Sequence, residues 1–212
     1  HNVSSAASDV YKRQAQTRIF AASVRRLRMR DPILSARHLT REYAPGQGCL
    51  DIELDVWPGE VLGIVGESGS GKTLSALSIL KLLPSGAEIK NGNIFFNNVN
   101  LLKLNKSEIQ KIRGNKISTI FQEPMTSLNP LHTINKQIEE IITTHNVISK
   151  SDAKKKTINL LKEVGLDNIA SRPKIYPYEL SGGQRQRAMI AMSIANNPDC
   201  LLYTSPSPRD NS

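Results

Sequence analysis

One octapeptide constrains this chain more than anything else in it: Gly66-Glu67-Ser68-Gly69-Ser70-Gly71-Lys72-Thr73, which satisfies G-x-x-x-x-G-K-[ST]. The run before it, Glu60-Val61-Leu62-Gly63-Ile64-Val65, reads as a short buried strand, and residues 74–83 after it read as a helix of good helix formers. Strand, glycine-rich loop and helix in that order make an anion trap. Glycines let successive backbone N–H groups turn inward, and the helix N-terminus adds the positive end of its dipole. Gly66, Ser68, Gly69, Ser70 and Gly71 form the expected phosphate cradle. Lys72 is expected to reach β- and γ-phosphates as a point charge, and the Thr73 hydroxyl to ligate Mg2+. A plain glycine-rich turn before a helix is the competing explanation, and the flanking strand and helix disfavour it.

Composition serves mainly to exclude. A chain of 212 residues, 39% hydrophobic with mean hydropathy −0.33, can bury a core as one domain with a subdomain. No apolar run approaches the length needed to cross a bilayer. Cys49 and Cys200 make neither metal spacing nor a disulfide framework, and His38, His132 and His145 show no ligand spacing. The net charge of +9 suggests nucleic acid at first sight, but Arg18, Arg25, Arg26 and Arg28 all precede Met29, the first methionine. Between residues 29 and 199 there are 21 Lys and Arg against 17 Asp and Glu. Only 5% of residues are aromatic and none interleave with basic runs, so no nucleic-acid partner is expected.

Both termini look foreign. Residues 4–14, Ser-Ser-Ala-Ala-Ser-Asp-Val-Tyr-Lys-Arg-Gln, resemble the conceptual translation of a transposase sequencing-library adapter, and residues 200–210 resemble the opposite adapter. A second discontinuity lies inside. Residues 15–71 contain no Lys and no Asn, whereas after Thr73 the chain turns to Lys, Asn and Ile, as in Lys154-Lys155-Lys156. Joining of coding segments of different base composition near the phosphate loop would produce that switch.

Taken in order, residues 33–43 alternate as a strand, residues 44–48 form a turn, and Cys49 to Val56 alternate again with Leu50, Ile52, Leu54 and Val56 on one face. Tyr43 lies upstream of the loop, where an aromatic face could stack on adenine; a surface aromatic at a strand end is an equal alternative. After the first helix come a short strand at residues 93–96, a short helix at 107–113 capped by Ser107, and a buried strand at 116–121 ending at Gln122. Residues 133–145 and 151–164 carry helical periodicity, the second starting at Ser151 and stopping at Gly165. This polar, helix-rich middle reads as a subdomain inserted in an α/β core. Then Leu180-Ser181-Gly182-Gly183-Gln184 opens a last helix. Ser181 is a natural N-cap, but Gly182 and Gly183 weaken a helix unless backbone must approach something closely.

Two phosphate-reading helix starts, a strand-end glutamine between them and an upstream aromatic together resemble the nucleotide-binding subunit of an ABC transporter. The resemblance covers nearly all of residues 33–199. It implies an α/β P-loop NTPase fold: a RecA-like core, an N-terminal antiparallel β subdomain and an inserted α-helical subdomain, truncated at the C-terminus. The implied organisation is an adapter-like tail (1–14), upstream or linker sequence (15–32), an ATP-binding core with the β subdomain (33–121), a Q-loop, helical subdomain and signature (122–187), the start of a return to the core (188–199) and a second adapter-like tail (200–212). Leu180 to Gln184 matches the family's signature, Gln122 its Q-loop and Tyr43 its adenine-stacking aromatic. The resemblance further implies ATP and Mg2+ as ligands, with Lys72 and Gln122 catalytic, and Thr73 and Gln122 at the metal. It implies a second ATPase subunit, identical or related, whose phosphate loop faces Ser181, Gly182, Gly183 and Gln184 across a shared ATP. Transmembrane permease subunits, and through them a solute-binding protein, complete the implied assembly on the cytoplasmic face of a bacterial inner membrane.

Finer resemblance divides at the suspected seam. Phe121-Gln122-Glu123-Pro124-Met125-Thr126-Ser127-Leu128-Asn129-Pro130 and Tyr176-Pro177-Tyr178-Glu179-Leu180 resemble the oligopeptide/dipeptide importer branch. Tyr43-Ala44-Pro45-Gly46 and Asp55-Val56-Trp57-Pro58-Gly59-Glu60 are more similar to an ATPase of phosphonate utilisation. The family follows its Asn-Pro-Asp-like segment with an apolar strand ending in Asp-Glu, then a switch histidine. Here Asn197-Pro198-Asp199 runs into Cys200-Leu201-Leu202-Tyr203-Thr204, so the Walker B aspartate, the general-base glutamate and the strands beyond residue 199 are all expected to be missing. Peptide import driven by ATP is the expectation for the parent protein, with near-inactivity for this chain. A soluble ABC ATPase acting on DNA or ribosomes, a phosphonate-system ATPase and a non-ABC P-loop kinase are the alternatives.

Overall fold

The structure is a computed structural model, and it describes residues 20–22, 31–44, 47–66, 70–82, 88–121 and 127–204. These fall into two compact units that divide between Lys103 and Leu104. In chain order the first unit carries β1 (Phe20–Ala22), β2 (Leu34–Ala44), β3 (Gln47–Val56), β4 (Gly63–Val65), α1 (Lys72–Ile79), β5 (Glu88–Phe96) and β6 (Val99–Asn100). Antiparallel pairing assembles four strands in the order β3-β2-β5-β6, while β4 pairs antiparallel with β1. The expected antiparallel β subdomain is therefore present. Its strands are longer than the sequence pattern indicated: Ala44 pairs with Gln47, so both lie in strands of a closed hairpin, not in a turn over 44–48. The strand expected at 93–96 begins at Glu88.

A bulge sets which face of β2 is buried. His38 takes φ 50° and shifts the register between Ala36 and Leu39, so the buried side passes from Leu34 and Ala36 to Leu39 and Arg41. The neighbouring strand answers with Gly92 at φ 104°, where a Cβ would lie 2.6 Å from the Leu39 Cα. The exposed His38 ring is held between Asp51 at 2.9 Å and Glu53 at 3.5 Å, and the hydrogen bond and charge of Asp51 raise its pKa above the ordinary value.

The strand before the phosphate loop is shorter and more open than expected. Glu60 belongs to a turn: its carboxylate accepts from the Trp57 N–H at 2.9 Å, and its own N–H donates to the Trp57 carbonyl at 3.0 Å. Only Gly63–Val65 form a strand, and with β1 as its one neighbour among the described residues Val65 is 70% exposed. The following helix ends at Ile79, not Leu83. Lys81 turns left-handed (φ 53°), and the N–H groups of Lys81 and Leu82 close back on Ser78 and Leu77 in a Schellman pattern.

The second unit carries α2 (Lys106–Ile112), β7 (Ile117–Ile120), α3 (Ile134–His145), α4 (Lys150–Glu163), α5 (Asp167–Ala170), α6 (Gly182–Ile194) and β8 (Cys200–Tyr203). Ile134, Ile138 and Ile142 recur every four residues on α3 and are fully buried, packed with Leu161, Leu166, Ile169, Ala188 and Ala191 in one core. Asn196 ties this unit together through its side-chain amide, which donates to the carbonyls of Gly114 and Ile141 and accepts from Asn146. Two helix starts differ from the sequence reading because a better cap lies just upstream. Asn105, not Ser107, caps α2 in a reciprocal pair with Glu108; Ser149, not Ser151, caps α4 by accepting from the Asp152 N–H.

The expectation of no strand beyond Asp199 is corrected. Cys200–Tyr203 forms β8, parallel to β7, with Cys200 opposite Ile117 and Tyr203 opposite Ile120. Four residues of apolar character are enough to satisfy that ladder. Burial raises the Cys200 thiol pKa to about 11. Among the described residues no helix is long and apolar enough to cross a membrane.

Candidate functional site

Lys72 is the first residue of α1, and its side chain turns back toward Gly66 and Ser70. Nζ donates to the Gly66 carbonyl at 2.8 Å and to Ser70 Oγ at 3.3 Å. Gly71 caps the helix in the left-handed region at φ 89°. As a glycine the cap offers no side chain of its own to the first-turn amides, and no acidic residue occupies the first turn. Those amides and the lysine are what an anion needs at this position. Ser75 fixes the cap from behind, donating through N and Oγ to the Gly71 carbonyl at 2.8 and 2.9 Å. Ser70 is buried and Thr73 is exposed, so the Thr73 hydroxyl is accessible to a ligand. Ser68 and Gly69 lie outside the described residues.

The second helix start shows the other expected geometry. Ser181 Oγ accepts from the Gln184 N–H at 3.3 Å, and Gln184 Oε1 accepts from the Ser181 N–H at 3.0 Å. Gly182 and Gly183 are exposed, and a Cβ on either would meet nothing within 4 Å. Their lack of a side chain leaves open space at the surface, which helix stability alone does not require. Neighbours that the motif did not reveal hold this turn. The Glu179 carboxylate accepts from the Tyr176 N–H at 2.7 Å and faces Arg172 at 3.4 Å, while Arg185 Nε donates to the Pro177 carbonyl at 2.8 Å. The sequence carried no capping signal for Glu179, since Tyr176 is not an N-cap residue type. Replacing Ser181 with Ala is expected to cost about 1 kcal/mol of the second unit's stability, the usual worth of an N-cap, read from urea unfolding.

The remaining expected residues are placed only in part. The Tyr43 backbone lies in β2, one residue from the hairpin end, and its side chain is outside the described residues, as is all of Gln122. At the end of β8, Tyr203 is 56% exposed, and Thr204 donates through N and Oγ1 to the Ile120 carbonyl at 3.2 and 3.3 Å. Among the described residues no carboxylate stands at that strand end. Among the described residues no group of His, Cys, Asp and Glu could hold a metal. The described residues fit a phosphate chain well, and for Mg2+ those among them assigned to the metal come down to the Thr73 hydroxyl.

A phosphate-type loop leading into α1, and a serine-glycine helix start on α6, define a P-loop nucleotide-binding cassette. The profile described as ABC transporter matches residues 49–207, about three quarters of the chain, and the chain belongs to that family. It is 48% identical over 181 residues to the peptidoglycan transport ATP-binding protein YejF of Agrobacterium fabrum, covering 83% of this chain and 33% of that protein. It is 42% identical to the dipeptide transport ATP-binding protein DppD of Escherichia coli, covering 80% of this chain and 52% of that protein. The chain thus spans a third to about half of these relatives. Among solved structures it is similar to the dimeric ATP-binding cassette MJ0796 bound to ADP and Pi, with TM-score 0.67 and 27% identity over 80% of this chain and 72% of that one.

Proposed function

We propose that this chain is the nucleotide-gripping part of an ATP-driven importer subunit for peptides or related small solutes. The observation that carries the reading is the Lys72 side chain at the start of α1, turned back on the Gly66 carbonyl and Ser70 Oγ beside the left-handed Gly71 cap. Gly66, Ser68, Gly69, Ser70 and Gly71 line the triphosphate cradle, Lys72 offsets its charge, Thr73 takes part in holding Mg2+, and Tyr43 stacks on adenine. Mg2+ supplies charge neutralisation when bound, and Gln122 orients groups beside it. Ser181, Gly182, Gly183 and Gln184 meet the nucleotide of a second ATPase subunit. Permease subunits in a bacterial inner membrane, and a solute-binding protein through them, receive the resulting motion. The names of relatives such as DppD support a peptide cargo.

Phosphoryl transfer needs the attacking water oriented and the metal fixed. With Thr204 engaged to the Ile120 carbonyl at the end of β8, no carboxylate among the described residues stands there for either task. The purified chain with Mg2+ is therefore expected to bind ATP weakly and saturably, and to turn it over at background rate. A fluorescent ATP analogue and phosphate release measure the two. Turnover near that of a complete subunit overturns the inactive-fragment reading, and absence of any nucleotide binding overturns the cassette reading. Co-purification of the full-length parent with ribosomes or DNA, in place of a permease, favours the non-transport alternative.

A further inference from the structure

Among the described residues Arg41 is the largest fully buried side chain, and no carboxylate among them pairs with it. It lies on the inward face of β2, opposite Cys49 of β3. Its Nη1 donates to the Leu74 carbonyl at 3.1 Å and reaches Ser78 Oγ at 3.4 Å, both on α1. Nε and Nη2 have no partner. Among the described residues no carboxylate pairs with it, and desolvation lowers its pKa. Buried charges are ordinarily paired because leaving one unpaired is costly, and an apolar side chain of similar volume is often tolerated better. An isolated buried arginine therefore calls for an explanation outside the packing itself.

The helix it touches supplies one. Leu74 lies two residues beyond Lys72, so at 1.5 Å per residue the guanidinium contacts α1 within its first turn. The cap is pinned to the same hairpin, since a Cβ at Gly71 would lie 3.3 Å from the Cys49 Cβ. We infer that Arg41 is a positioning residue for the phosphate loop: it locks the start of α1 to the strand carrying Tyr43 and adds a buried positive charge behind the cradle, one that a bound triphosphate compensates. The inference rests on the nucleotide reading above. It predicts that the charge matters for phosphate and not for the nucleoside. It also predicts that the cost of burying this cation is relieved when the cradle is filled.

The test compares the unaltered chain with Arg41→Met, which keeps the volume, and Arg41→Lys, which keeps the charge. Each is titrated with ATP, tripolyphosphate and adenosine, and unfolded in urea with and without tripolyphosphate. Arg41→Met is expected to weaken ATP and tripolyphosphate by roughly 10-fold, as one buried charge about 10 Å away does at an effective dielectric near 20. Adenosine binding and the unliganded urea midpoint do not fall, and Arg41→Lys recovers most of the phosphate affinity. Unchanged tripolyphosphate affinity in Arg41→Met overturns the inference. So does equal weakening of adenosine and triphosphate, or a lowered urea midpoint with no recovery in Arg41→Lys, since either marks a purely structural residue. If the unaltered chain binds neither ATP nor tripolyphosphate, the nucleotide reading itself fails, an outcome distinct from the others.

Discussion

Lys72→Ala lowers the affinity of the chain for ATP by roughly 100-fold, the worth of a charge-assisted contact to phosphate, while the urea midpoint moves by the equivalent of about 1 kcal/mol or less. The two effects separate because a charge-assisted contact to phosphate outweighs a bond to a neutral oxygen. Nζ donates to the Gly66 carbonyl and to Ser70 Oγ, both partners on its own loop, and neither is ionised. Phosphate oxygens are anionic acceptors and hold the ammonium more strongly than the Gly66 carbonyl or Ser70 Oγ does, so the gain comes on binding. Lys72→Arg does not restore the affinity, because a planar fork needs a wider space than a point charge. Titration with a fluorescent ATP analogue reads the change. Equal binding by Lys72→Ala and the unaltered chain would sink the phosphate-cradle assignment.

Ile138→Ala destabilises the second unit by about 3–4 kcal/mol, within the range for deleting most of a fully buried branched side chain. Ile138 has no exposed surface and lies midway along the α3 stripe, with Ile134 and Ile142 one turn to either side. The loss is large because those neighbours belong to helices whose ends are fixed. Thr133 caps α3, Ser149 caps α4, and the Asn196 side chain ties α3 to the turn before β7. Surroundings held that firmly cannot collapse into the space left behind. Urea unfolding followed by far-ultraviolet circular dichroism measures the shift. A change below about 1 kcal/mol would mean the helices repack freely around the site. Ser181 at the start of α6 is exposed, so its substitution has the smaller effect assigned above.

Features written in consecutive residues were readable from the sequence, and features made by distant residues were not. Gly66 to Thr73 and Ser181 to Gln184 each state their local geometry in one short stretch, and Gly71 and Ser181 cap their helices as that stretch requires. Helix starts at Asn105 and Ser149 were each missed by two positions, since two capping residues stood close together and only hydrogen bonding chooses between them. The strand before the loop was read as buried from its apolar composition. Burial depends on what covers a strand, and its sequence cannot report that. Arg41 left a fainter signal. It follows Leu39 by two residues on the inward face of β2, where an arginine breaks the apolar alternation, and the bulge at His38 puts it there.

The parallel ladder between β7 and β8 has a consequence for how resemblance is weighed. Its hydrogen bonds run from backbone to backbone, from Ile117 opposite Cys200 to Ile120 opposite Tyr203. Such a seam accepts a tetrapeptide of suitable length and oiliness without consulting the chemistry of the residue that follows. The ladder is consequently no measure of turnover in this chain: it closes with Thr204 following Tyr203, and what that strand end does in catalysis is read only by an assay.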